Sequence, residues 1–302
     1  MRVSRCLRVS AVVACFLWSG AAFANAADAR LIGFEGEVQV FASDGTAKKS
    51  TLGMNLSVGD RIETGATGTV TILRTTGELV NLESKQKFVL GKADVSSAPG
   101  KGTSLASDLL EQISSFWVSD KERLENVENT VRAVEDKGFF VLTPRKGYLA
   151  NRKPTVRWMN VPGASHYRVS LTSPKSGKKL LRRNVAAPVT SVPMRRAINE
   201  GERAFIRVQA FAGKKELISD EASFAIAERD VSSEIKRLSG ELGKVIPKST
   251  SGYNVLLVEL YLRNKFYGEA YELLNQMRNQ TGNSGWIDDR LREIRLHTEL
   301  PQ

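Results

Sequence analysis

The sequence predicts a multidomain chain, mainly β in its N-terminal and central domains (a small β-roll, then a β-sandwich), followed by an all-α helical tail. Three observations carry that prediction. Across residues 33–91, apolar residues alternate with polar ones in short runs: Val38 and Val40, Val70 and Ile72, Val80 and Leu82, Phe88 and Leu90. A period of two is that of a half-buried strand. The alternation returns over 138–228, and from Asp230 onward the apolar spacing becomes three and four, the period of a helix. A chain of 302 residues has room for about two or three domains with ordinary hydrophobic cores.

Residues 1–24 are set apart from the fold. Arg2, Arg5 and Arg8 form a basic start, Val9 to Trp18 an apolar core, and Ala22-Phe23-Ala24 a small-residue cleavage site. This order predicts a cleavable secretory signal peptide, too short to span a bilayer comfortably, and hence a periplasmic mature protein. Val12-Val13-Ala14-Cys15 loosely matches a lipoprotein box, but the apolar core runs on past Cys15, which favours the ordinary leader. Both cysteines, Cys6 and Cys15, leave with it. Disulfides, thiolate catalysis and thiolate metal sites are thereby excluded from the mature chain. No later apolar run predicts a transmembrane segment.

In the first β domain, 30–91, the strands are separated by turn clusters: Ser43-Asp44-Gly45-Thr46, Val58-Gly59-Asp60, Thr64-Gly65 with Gly68, and Thr76-Gly77-Glu78. Such residues favour turns, and a spacing of about ten between turns predicts a small meander or roll. Asp60, following Gly59, is expected to cap its turn. Gly36, Val38, Val40, Leu52, Gly53, Leu56, Gly59, Asp60, Ile62, Thr64, Gly65, Gly77, Leu79 and Leu82 stand in an order that resembles the FecR-type domain. The L-x-x-G-D-x-I-x-T-G core of that pattern, Leu56 to Gly65, is dense; the resemblance covers about a fifth of the chain. It implies a periplasmic, non-catalytic module used in envelope signalling and names no ligand.

Residues 92–137 read as a linker with amphipathic helices. Lys92 to Thr103 is rich in Ser, Pro and Gly. Leu109, Leu110, Ile113, Phe116 and Trp117 then recur at helical spacing. Ser119-Asp120-Lys121-Glu122 is a capping box opening a second helix with Leu124, Val127, Val131 and Val134 on one stripe, expected to pack against a neighbouring domain.

In the second β domain, 138–228, the expected strands are Phe139–Leu142, Thr155–Trp158, Tyr167–Thr172, Leu180–Val185, Ala204–Phe211 and Ala222–Ile226. Pro144, Pro162-Gly163, Pro174 with Gly177, and Gly213 mark the turns. The phrase from Lys153-Pro154 through Trp158 and Val161-Pro162-Gly163-Ala164 to Tyr167-Arg168-Val169 resembles the start of bacterial fibronectin-III-like sandwiches. That resemblance implies a core position for Trp158 and a place for Tyr167 on the same sheet.

In the tail, 229–302, Asp230 is expected to cap a helix with Ile235, Leu238, Leu242 and Ile246 on its stripe, stopped by Pro247. Leu256, Leu257, Leu260 and Tyr261 then face one side of a helix, and Gly268, Ala270, Leu273, Leu274 and Met277 line the next. The small residues are expected at the crossing of these two helices. This pair resembles a single tetratricopeptide hairpin, which has no neighbouring repeats to stack on and must pack on flanking helices. Ser284, Trp286, Ile287, Leu291 and Ile294 supply the last helix. Any apolar surface left over, around Tyr261, Phe266, Tyr267 and Tyr271, is a candidate partner surface, since aromatics are enriched in binding hot spots.

Signals of catalysis are weak. His166 and His297 fall in different domains without acidic clusters, so a zinc site or a base–nucleophile pair is not expected. Ser84/Lys87, Ser176/Lys179 and Ser233/Lys236 have the Ser-x-x-Lys spacing, but the accompanying S-x-N and K-T-G elements are missing. Gly100-Lys101-Gly102-Thr103 lacks the first glycine of a phosphate loop. No enzyme activity and no cofactor or metal is expected.

The formal net charge is +11, and loss of the three leader arginines lowers it to +8. An exported basic protein meets anionic envelope polymers rather than nucleic acid. Lys175, Lys178, Lys179, Arg182 and Arg183, on one hairpin, are the candidate contacts for such a polymer. The expected function is envelope signalling or scaffolding by protein contact with a membrane-embedded sensor or other envelope protein. The alternative is a binder of lipopolysaccharide or peptidoglycan-associated polymer through the basic β-surface. The sequence does not set an oligomeric state.

Overall fold

The computed structural model describes residues 28–91, 108–114, 138–174, 177, 179–281 and 284–300. The signal peptide, the Ser/Pro/Gly linker, the helix expected from Ser119 onward, and Lys175 and Lys178 lie outside the described residues.

The first domain is built from two antiparallel four-stranded sheets. One has the order β4 (Asn55–Leu56), β1 (Ala29–Glu35), β6 (Thr69–Arg74), β7 (Leu79–Leu82). The other runs β3 (Ala47–Lys48), β2 (Val38–Phe41), β5 (Arg61–Thr64), β8 (Lys87–Val89). Leu31, Val40, Leu56, Ile62, Val70 and Ile72 fill the space between them. Asp60 caps its turn as expected: Oδ2 accepts from the Ser57 N–H at 3.0 Å, and Lys48 Nζ donates to the same oxygen at 2.8 Å.

Strand β1 is buried on both faces. Leu31 points into the roll, whereas Ile32 belongs to the helical core. On β6, Ile72 and Leu73 divide in the same way. Adjacent apolar residues in one strand are the pattern of a sheet covered on both sides.

The second domain is a β-sandwich. Strands β14 (Ser191–Pro193), β11 (Thr155–Trp158) and β9 (Val141–Thr143) form one sheet. The other runs β10 (Tyr148–Leu149), β16 (Lys215–Ile226), β15 (Arg203–Ala212), β12 (His166–Thr172), β13 (Lys179–Ala186). Trp158 is buried, as expected. Tyr167 is not on its sheet. Chain segment 159–165 crosses from one sheet to the other, so Tyr167 meets Trp158 edge-on across the core with ring centroids 5.4 Å apart. Its hydroxyl donates to Asn160 Oδ1 at 2.9 Å and accepts from the Val161 N–H at 2.8 Å. A buried phenol thus finds its polar partners within the crossover itself.

Among the described residues there are five helices: α1 (108–114), α2 (Arg229–Val245), α3 (Ser251–Arg263), α4 (Tyr267–Thr281) and α5 (Gly285–Thr298). Glu228, rather than Asp230, occupies the N-cap of α2; Asp230 lies in the first turn, where a carboxylate still complements the helix dipole. Ser284 caps α5 and accepts from the Ile287 N–H at 3.2 Å.

The helices lie across both β domains. Gly33 of β1 abuts the start of α3, where a Cβ on Gly33 would come within 2.8 Å of the Gly252 nitrogen. Gly268, expected at the crossing of α3 and α4, instead faces the sandwich: a Cβ there would meet Leu149 at 2.5 Å. The helical tail is therefore not self-contained. It shares one core with α1 and the outer face of the first roll, through Ile32, Leu52, Leu73, Leu110 and Ile113.

Candidate functional site

Where α4 passes over the β9–β11–β14 sheet, a cleft of about 890 Å³ opens between the helical layer and the sandwich. Its floor follows from strand parity. Val156 and Trp158 of β11 point into the sandwich, which turns Thr155 and Arg157 outward into the cleft. The other wall is one face of α4, with Glu269, Glu272, Asn275, Gln276, Asn279 and Gln280. Leu257 and Tyr261 of α3 close the apolar end, beside Tyr271 and Leu273.

Three polar contacts organise this junction. Arg157 Nε donates to Glu272 Oε1 at 2.7 Å, linking β11 to α4. Glu269, in the first turn of α4, accepts through Oε1 from the Ala150 N–H at 2.7 Å and the Asn151 N–H at 3.3 Å. Its other oxygen, Oε2, is buried without a hydrogen-bond partner. Burial therefore outweighs the two N–H donors and pushes the Glu269 carboxyl up to about 7. Burial, then the nearby Glu269 charge, pushes the Tyr261 phenol up to about 12. Clefts at domain junctions, with a few convergent polar groups and a perturbed carboxyl, are where ligands bind.

The four aromatics expected at a partner surface divide. Phe266 is wholly buried and Tyr267 nearly so. Phe266 lies between Tyr148 and Tyr261, each with its ring centroid 6.3 Å away, and Tyr267 stacks on His297 at 5.3 Å. Those two rings have no surface to present to a partner, because the sandwich covers the face that an isolated hairpin would expose. Tyr261 and Tyr271 are half-buried and line the cleft.

The basic hairpin also divides. A period of two sends neighbouring arginines to opposite faces of β13. Arg183 pairs with the inward-facing Val169 and is half-buried at the sheet edge, whereas Arg182 pairs with the outward Ser170. Ser170 in turn faces Arg207 across β15, so Arg182 and Arg207 flank it on the outer face. Arg168, two residues along β12, lies over the Phe211 ring at 4.7 Å. Lys179 is exposed opposite Thr172. Arg207 is partnered by Glu221 at 3.5 Å. Arg168 and Arg207 joined this surface through sheet register, which no hairpin sequence reveals.

The two histidines stay apart. His166 stacks on Phe211 at 5.0 Å in the sandwich, and His297 lies in the last turn of α5. Among the described residues no group of three or more His, Cys, Asp or Glu is placed to hold a metal ion. No helix among them is long and apolar enough to cross a membrane.

No family model and no curated protein matches the chain. Among solved structures it is similar to an Fn3-like protein from Clostridium thermocellum, at 17% identity over 28% of this chain and 90% of that chain, with a TM-score of 0.23. It is also similar to a two-domain fibronectin type-III segment of chicken tenascin, at 12% identity over 65% of this chain and 82% of that one, with a TM-score of 0.24. The strand order of its two sheets makes the central domain a β-sandwich independently of these likenesses.

Proposed function

We propose that this chain is a non-catalytic, exported FecR-like protein that acts in envelope signalling or scaffolding through protein–protein contacts. A membrane-embedded sensor or another envelope protein is its expected partner. One observation carries the reading: the helical layer packs against both β domains and leaves a mixed apolar and polar cleft at the junction with the sandwich. A recessed surface of this kind suits recognition, and recognition of another protein needs no cofactor. The leader supports export, the 30–91 pattern supports the FecR-like assignment, and α3–α4 is read as a single tetratricopeptide-like hairpin.

The test is fractionation with N-terminal sequencing, followed by in-cell crosslinking and mass spectrometry on the full chain. Mature protein beginning near Asn25 in the periplasm, crosslinked to one envelope protein, is the expected result. An intact N-terminus in the cytoplasm would overturn the proposal.

A second reading, binding of an anionic envelope polymer, is favoured by the clustering of Arg168, Arg182 and Arg207 on one sheet face. Reversing Arg168 and Arg182 to Glu should then abolish co-sedimentation with lipopolysaccharide, which should also weaken steeply with salt. Sedimentation that survives both would eliminate this reading.

A further inference from the structure

We infer that the cleft between α4 and the β9–β11–β14 sheet binds an extended, uncharged stretch of peptide presented by a partner protein. This deepens the protein-contact reading above and rests on it.

The shape comes first. The α4 residues lining the cleft run from Gly268 to Gln280, which at 1.5 Å per helical residue is ~18 Å. An extended chain rising about 3.3 Å per residue would place some five residues along it. At the far end, Asn275, Gln276, Asn279 and Gln280 repeat at the one-and-three spacing that keeps them on one face of the helix. Each carboxamide offers two N–H donors and an acceptor oxygen, which can pair with the N–H and C=O that a peptide unit of an extended chain presents. Asn275 spends a donor on the Tyr271 carbonyl at 2.7 Å, which leaves Oδ1 to accept. Gln276, Asn279 and Gln280 are exposed.

Charge narrows the ligand. Among the described residues Arg157 is the cation lining the cleft, and Glu272 already holds it at 2.7 Å. With that pair closed and the Glu269 carboxyl pushed up to about 7, the described lining has little free charge of either sign to attract a charged polymer or segment. At the near end, Leu257, Leu273, Tyr261 and Tyr271 are half-buried. Two leucines and two tyrosine rings there form an apolar end that suits a bulky apolar side chain. Strand addition to β11 is closed off, because β11 already pairs with β14 on one side and β9 on the other. Over this part of the floor the peptide is read by side chains.

The full chain should be panned against a random heptapeptide library and the recovered sequences measured as fluorescent peptides by anisotropy. Uncharged peptides with one bulky apolar residue should be enriched. The double variant Gln276→Arg/Asn279→Arg, at exposed positions where Arg is a good helix former, should weaken their binding at least tenfold with an unchanged melting midpoint. Thr155→Arg, on the opposite wall, should do the same independently. Failure to enrich any peptide, or enriched peptides indifferent to both variants, overturns the inference. So does displacement of the peptides by neutral oligosaccharides that themselves bind and are lost with the variants, since that would make this a sugar site. Crosslinking the double variant in cells separates the two levels: a partner retained by a variant that has lost peptide binding defeats the cleft assignment while the protein-contact function stands.

Discussion

Gly53 lies directly beneath the indole of Trp286. A Cβ built on Gly53 would stand 2.2 Å from Trp286 Cγ, and the glycine has φ +76, a conformation unfavourable to other residues. One glycine therefore serves the β3–β4 turn of the first domain and the docking of α5. Gly53→Ala should lower stability by about 2–4 kcal/mol, combining a strained φ with overpacking against the ring. Trp286→Ala alone should cost about 3–5 kcal/mol as a large buried side chain. The double variant separates the terms: relief of the clash should make it more stable than the sum of the singles predicts. Chemical denaturation of all four proteins reads this directly, and strict additivity would count against the contact.

Glu269 makes the helical layer sensitive to pH. Its carboxyl is raised from 4.5 to about 7, so the folded protein keeps a proton that the unfolded chain has released between those values. Its contribution to stability is thus fully present below pH 4.5 and falls as the pH rises toward 7. At 1.36 kcal/mol per pH unit the whole effect is at most about 3 kcal/mol. Glu269→Gln should flatten this part of the profile while leaving the remainder unchanged. Melting curves of the two proteins between pH 4 and 8 should diverge in that window; a constant difference would assign the titration elsewhere.

The sequence patterns that proved legible were those set by local periodicity. Val38/Val40 and Val70/Ile72 alternate because one face of each strand meets the roll's own core, and Trp158 is buried as its strand parity requires. What escaped reading depended on which domain covers which face. Leu31-Ile32 is a pair of apolar neighbours in one strand, a sign of two buried faces that appears only once α3 is laid over β1. Asp220 sits in the inward series Ala222, Phe224, Ile226, and an acid in such a series must be paired inside. Tyr261 and Tyr271 line a cleft with the sandwich, whereas the same packing buries Phe266 and Tyr267.

Arg145 joins the sandwich to the end of α5. Its Nη1 donates to Asp220 Oδ2 at 2.6 Å, and its Nε donates to the Thr298 carbonyl at 2.8 Å, where a cation also complements the C-terminal end of the helix dipole. Asp220 Oδ2 accepts from the Val141 N–H at 2.8 Å as well. Arg145→Ala would leave a buried carboxylate with one backbone donor and should cost about 3–5 kcal/mol. Hydrogen exchange should then speed up in the last turn of α5 as well as around β9. Exchange confined to the sandwich would show that Arg145 does not hold the helix.

The last prediction concerns the charge cluster within the helical layer. Arg290 of α5 donates from Nε to Glu259 Oε1 of α3 at 2.7 Å and from Nη1 to Glu293 Oε2 at 2.9 Å, and all three residues are at most 2% exposed. Helix α3 explains why an acid is there. Val255, Leu256, Val258, Leu260 and Leu262 bury it on nearly every side, so Glu259 has no solvated face to use. Glu259→Ala strands the Arg290 guanidinium with a smaller counter-charge and should destabilise by about 3–5 kcal/mol. The simultaneous change Glu259→Leu/Arg290→Met/Glu293→Leu removes these three charges, among them the carboxylate 3.8 Å from His297, and keeps similar volume. Desolvating charges costs several kcal/mol, so the triple variant should be near wild-type stability or above it. If instead it is as unstable as Glu259→Ala, the network holds the α3–α5 register, a role that apolar packing does not replace. Denaturant midpoints of the single and triple variants decide between these outcomes.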